Sequence, residues 1–109
     1  MKIPNSERAV IAREKLTDYL LNVDHKRGGT KARLLAQFGY TVDNWEQLAA
    51  DLRANLAAEV DFVKTTLYGV RYEVRMVLQT PAARTLALRT VWQIDDGTDC
   101  ARLITLYPD

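Results

Sequence analysis

Apolar residues recur at three- and four-residue intervals through the first half of the chain and at every second position through the second half, so helices are expected to precede strands. After Ile3, Pro4 and Asn5, the run Ala9, Val10, Ile11 reads as a short strand or an extended lead-in. Leu16, Tyr19 and Leu20 then fall at helical spacing and predict a helix from about Arg13 to Leu21. The stretch from Asn22 to Gly29 is polar and basic and ends in a glycine pair. Thr30 fits as the N-cap of a second helix that carries Ala32, Leu35 and Phe38 on one face, and Gly39 fits as its stop. Asp43 and Glu46 have the spacing of a capping box ahead of the stripe Trp45, Leu48, Ala49, Leu52 and Leu56, which predicts a third helix.

The period then drops to two. Val70, Tyr72, Val74, Met76 and Leu78 alternate with Arg71, Glu73, Arg75, Val77 and Gln79, as in a strand with one buried face. Gly69 marks a turn before it, so Val60 to Leu67 reads as its hairpin partner. Thr80, Pro81 and Ala82 break the strand, and Leu86, Leu88, Thr90, Trp92 and Ile94 alternate through a third. Asp96 and Gly97 turn the chain into a fourth strand from Arg102 to Tyr107. The expected class is α+β, with three N-terminal helices followed by a four-stranded antiparallel sheet, because the elements are segregated and not interleaved. Trp45, Leu48, Leu52, Tyr72, Val74, Leu88 and Trp92 are the expected core.

A length of 109 residues predicts a single domain over residues 1–109. Uninterrupted apolar stretches are only a few residues long, and the N-terminus lacks the pattern of a secretory signal, so a cytoplasmic location is expected. The lone Cys100 has no partner for a disulfide. With only His25 beside it, no zinc-ligand set is present. A formal net charge of +1 does not by itself indicate a nucleic-acid partner. The distribution is more informative, because Lys26, Arg27, Lys31 and Arg33 face only Asp24 in one segment, whereas Asp43, Glu46, Asp51, Glu59 and Asp61 face only Arg53 in another. Such runs are usually solvated surface, and a binding face is the less common reading.

No phosphate-binding glycine loop, dinucleotide fingerprint or metal-ligand cluster is present, so neither a cofactor nor a metal is expected. Gly28, Gly29, Thr30 and Lys31 have the composition of a phosphate loop without its spacing. His25 remains, in a basic loop next to a helix N-terminus suited to an anion. Cleavage of RNA by its own 2′-hydroxyl requires a base, an acid and a cation for the extra phosphorane charge, and His25, Lys31, Arg75 and Arg89 could supply these without a metal. Lys26 and Arg27 add phosphate contacts from the loop. Trp92 and Tyr107 could stack on bases. Structural readings stand beside each: an idle loop histidine, a solvated lysine, plain surface arginines on the face opposite the apolar stripe, and aromatic residues that belong to the core.

The run Lys15, Leu16, Tyr19, Leu20, Leu21, Asn22, His25, Gly28, Gly29, Lys31, Ala32, Phe38, Gly39, Tyr40 resembles a bacterial domain family of about this length, as does Arg89, Thr90, Val91, Trp92, Ile94 with Leu103, Thr105, Tyr107 and Pro108. The N-terminal part is also similar to nuclease domains fused to phage head proteins and contact-dependent toxins, of the barnase, EndoU, colicin and RelE (BECR) fold group. The resemblance implies a metal-independent ribonuclease of the toxin kind, with His25, Lys31, Arg89 and Thr105 meeting as catalytic residues. It also implies RNA as substrate and a cognate antitoxin or immunity protein as partner. A noncatalytic interaction or immunity-type module is the competing expectation.

Overall fold

The computed structural model describes all 109 residues. A π-helix (Lys15–Leu20) and two α-helices, α1 (Gly29–Gln37) and α2 (Trp45–Ala54), precede four strands, β1 (Val60–Thr66), β2 (Gly69–Gln79), β3 (Thr85–Asp95) and β4 (Arg102–Pro108). The strands form one antiparallel sheet in the order β1-β2-β3-β4, as alternating apolar positions joined by short turns require. One face of that sheet carries Val74, Leu78, Leu88, Trp92 and Leu106. It closes on Leu16, Leu20, Leu35, Leu48, Leu52 and Leu56 from the helical layer, and all of these side chains are at most 2% exposed. Of the expected core residues only Trp45 is half-exposed. It packs on the core rim beneath the Arg13 guanidinium, 5.4 Å from its ring centroid.

The helix starts differ from the sequence expectation for local reasons. The first helix winds as a π-helix, with Leu21 N–H donating to Leu16 O at 2.8 Å, which sends Leu16, Leu20 and Leu21 inward together. Gly28, not Thr30, is the N-cap of α1, because Gly29 N–H already reaches back to His25 O at 2.8 Å. At the other end Gly39 adopts φ +90°, and Tyr40 N–H and Gly39 N–H donate to Leu35 O and Ala36 O, so the helix stops where a residue tolerant of left-handed backbone stands. The box before α2 is built from Thr41 and Asn44, not Asp43 and Glu46. Thr41 N–H donates to Asn44 Oδ1 at 2.7 Å, and the Asn44 amide donates to Gly39 O at 2.8 Å.

Two features set the outer edge of β4. The lead-in segment forms no full strand, but Val10 lies parallel to β4, accepting from Leu103 N–H at 3.0 Å and donating to Ala101 O at 2.8 Å. Farther along, the register shifts between Val91 and Trp92. Thr105 pairs with Val91 and Leu103 with Trp92, so Ile104 is the extra residue of a bulge. A bulge interrupts the in-and-out alternation and re-aims side chains. Here it leaves Ile104 and Thr105 together on the wall of a cleft.

Candidate functional site

The cleft lies between the π-helix, the loop before α1 and the bulge of β4, with a volume of about 650 Å³ and Glu14, Lys15, Tyr19, His25, Arg27 and Thr105 in its lining. Three elements converge at its floor. Lys31, in the first turn of α1, donates to Thr105 Oγ1 at 2.9 Å and to Tyr19 Oη at 3.1 Å, and the two hydroxyls lie 3.1 Å apart. An ammonium in the first turn of a helix sits at the positive end of the helix dipole. Lys31 holds that position half-buried with two neutral hydroxyls as its partners and no carboxylate. A lysine ammonium has three donors, so one is left over.

Tyr19 is the hub of the cluster. The Lys15 and Lys31 ammonium nitrogens each lie 5.5 Å from its ring centroid, and the His25 ring meets it edge-on at 4.9 Å. Burial by itself would raise the phenol pKa. Hydrogen bonds from Thr105 and Lys31, with the charges of Lys31 and Lys15, outweigh burial and lower the phenol below its ordinary value of 10.0.

His25 is fixed by the backbone of its own loop. Its Nδ1 accepts from Arg27 N–H and Gly28 N–H, each at 3.0 Å. While those bonds stand Nδ1 carries no proton, so the neutral ring is the Nε2–H tautomer, and Nε2 has no partner within the protein. The glycine pair that follows is explained by packing. A Cβ on Gly28 would stand 2.4 Å from Tyr19 O and 2.7 Å from Tyr19 Cδ1, so the start of α1 docks on the π-helix only because this residue has no side chain.

Of the residues singled out from the sequence, Lys31 and Thr105 touch, His25 joins them across the Tyr19 ring, and Arg27 lines the cleft. Lys26 is exposed on the same loop. Arg89 does not join them. Its guanidinium lies 2.5 Å from Asp61 Oδ2, 3.2 Å from Glu73 Oε1 and 3.9 Å from Asp109 Oδ1, so carboxylates already answer its charge. Arg75 pairs with Asp109 at 3.0 Å and Tyr107 donates to Glu73 at 3.1 Å, which makes these residues one network and not a cleft. Trp92 is fully buried and donates to Thr90 Oγ1 at 2.8 Å, so it has no free face for a base. Tyr19 and Lys15 were missed as site residues because helical spacing assigns Tyr19 to the core. The signal that could have found them is the Lys15, Tyr19 pair four residues apart, ahead of His25.

A family described as "Domain of unknown function (DUF6883)" matches residues 2–109. A search of curated proteins finds no match. Among solved structures, a chain of the "Contact-dependent growth inhibition toxin - immunity protein complex from Klebsiella pneumoniae 342" aligns with a TM-score of 0.72 at 14% identity, covering 92% of this chain and 99% of that one. At that identity the likeness shows a shared fold.

Proposed function

The chain belongs to the DUF6883 family, and on that premise we propose that it is a toxin-type ribonuclease of the BECR group that cuts RNA by general acid–base chemistry without a metal. The observation that carries this reading is the cleft itself, in which Lys15, Arg27 and Lys31 form no ion pair around two hydroxyls and the free Nε2 of His25. Lys15 and Arg27 on the lining and Lys31 on the hydroxyls below, against the single exposed carboxylate of Glu14, favour an anion of concentrated charge, and a phosphodiester supplies it. His25 offers Nε2–H to a non-bridging phosphate oxygen, and Lys15, Lys31 and Arg27 offset the charge that grows on the phosphorane. The fold shared with a chain of a toxin–immunity complex supports the toxin reading and a cognate immunity protein as partner. RNA and that partner would meet the chain in the cytoplasm.

The complex that shares the fold contains both a toxin and an immunity protein, which keeps an immunity-type binding module as the second reading. Purified protein mixed with single-stranded RNA at neutral pH separates the two. We expect cleavage that is undiminished by a chelator and suppressed by the product of the neighbouring gene. His25→Ala should lower the rate by about 10²-fold or more with little change in melting temperature. Lys31→Ala should also weaken RNA binding and reduce the slope of its salt dependence by about one phosphate contact. Absence of cleavage by the unaltered protein would leave the binding module.

A further inference from the structure

We propose that Tyr19 is the general base of this site and that Lys31, besides offsetting phosphate charge, positions its hydroxyl. The inference rests on the ribonuclease reading and assigns the proton transfers that reading leaves open. His25 cannot serve as the base while its Nδ1 holds the Arg27 and Gly28 N–H groups, because the other ring nitrogen then carries the proton. The oxygens that remain on the floor and wall of the cleft are Tyr19 Oη, Thr105 Oγ1 and the Glu14 carboxylate. Glu14 is exposed and takes no part in the hydrogen-bonded cluster, and an aliphatic hydroxyl such as that of Thr105 is far less acidic than a phenol. Tyr19 alone sits beneath two ammonium groups and accepts from Lys31 at 3.1 Å, an arrangement that stabilises a negative oxygen. The lowered phenol pKa is the expected consequence of that geometry.

The step balances as follows. The Tyr19 phenolate takes the proton of the RNA 2′-hydroxyl as O2′ attacks phosphorus. The P–O2′ bond forms, the P–O5′ bond breaks, and the departing O5′ takes a proton from the Lys15 ammonium, which also lines the cleft. The products are a 2′,3′-cyclic phosphate and a 5′-hydroxyl. The proton gained by Tyr19 returns to the Lys15 amine through solvent. Lys31 remains charged throughout, holding the Tyr19 and Thr105 oxygens in place.

The substrate must therefore carry a 2′-hydroxyl at the cut site, and a 2′-O-methyl group there should block cleavage of an oligoribonucleotide that still binds. The groups facing Tyr19 are Lys15 from its own helix, His25 from the loop, Lys31 from α1 and Thr105 from β4, with Glu14 and Arg27 on the cleft wall. Only the deprotonated phenol reacts. The cleavage rate should thus rise about tenfold per pH unit above neutrality and level off below the ordinary tyrosine value of 10.0.

The experiment is single-turnover cleavage of a defined oligoribonucleotide across that pH range by the unaltered protein, Tyr19→Phe, Lys31→Gln and His25→Gln. Circular dichroism establishes that each variant is folded. Tyr19→Phe should lose about 10²- to 10⁴-fold in rate together with the rising limb. Lys31→Gln should move the limb to higher pH. His25→Gln should retain the limb's position at a lower rate. Replacing all tyrosines with fluorotyrosine, whose phenol is more acidic, should move the limb to lower pH and tests the same point without removing the hydroxyl. Cleavage by Tyr19→Phe within about threefold of the unaltered protein, or a limb that ignores fluorotyrosine, overturns this assignment and leaves the ribonuclease reading intact. An unaltered protein that does not cut RNA overturns both.

Discussion

At the scale of single residues, what a charge or a ring can do depends on the groups that reach it. Arg89 carries the right charge for a phosphate, yet Asp61 and Glu73, remote in sequence, occupy it. No periodicity reveals that pairing. Tyr19 shows the reverse case, because apolar spacing assigns its ring to the core while its hydroxyl emerges at the cleft floor. Pure core positions carry no such ambiguity, since nothing but burial selects them. Leu52, fully buried between helix and sheet, is one. Leu52→Ala should cost about 2–5 kcal/mol through lost transfer energy and the cavity left behind, and urea denaturation checks it. A loss below about half a kcal/mol would show that the α2 face had been misread.

At the scale of elements, the order and type of the segments follow from the change of hydrophobic period, and the caps depend on finer competition. Both box candidates before α2 have the right spacing, but Thr41 and Asn44 hold the position because the Asn44 amide also satisfies Gly39 O. The bulge at Ile104 leaves no mark in the sequence, since it arises from pairing with β3. That is why Thr105 was reachable only through family resemblance. Gly28 joins element packing to the site. Its φ of −94° is ordinary, so the requirement is for space and not for conformation. Gly28→Ala should push Tyr19 and α1 apart and cost about 1–3 kcal/mol of stability. RNA cleavage should fall with it, because Tyr19 Oη and Lys31 Nζ would no longer stand at 3.1 Å. Melting curves and a cleavage assay on the same preparation check both effects.

At the scale of the whole molecule, charge pairs tie distant parts of the chain and set its response to acid. Arg89 holds the Asp61 carboxyl below its ordinary value of 3.8, Arg102 does so for Asp95, and Cys100 and Arg8 do so for Asp99. A carboxyl whose pKa is depressed on folding contributes stability above its unfolded value and loses it as pH falls through the folded one. The melting temperature should therefore hold steady between neutrality and about pH 5 and fall below about pH 4, with a smaller drop at high salt because these pairs lie near the surface. Asp61→Asn should flatten that fall, and calorimetry across the range checks it. The hydrogen bonds that assemble the cleft also span the chain: Thr105 is 86 residues from Tyr19 and 74 from Lys31. β4 comes last among the strands. During synthesis Tyr19 and Lys31 are made 86 and 74 residues before the threonine that bonds to both. A chain still lacking β4 therefore has no hydroxyl to bridge Tyr19 and Lys31, and the cleft is complete only once the last strand has paired with β3.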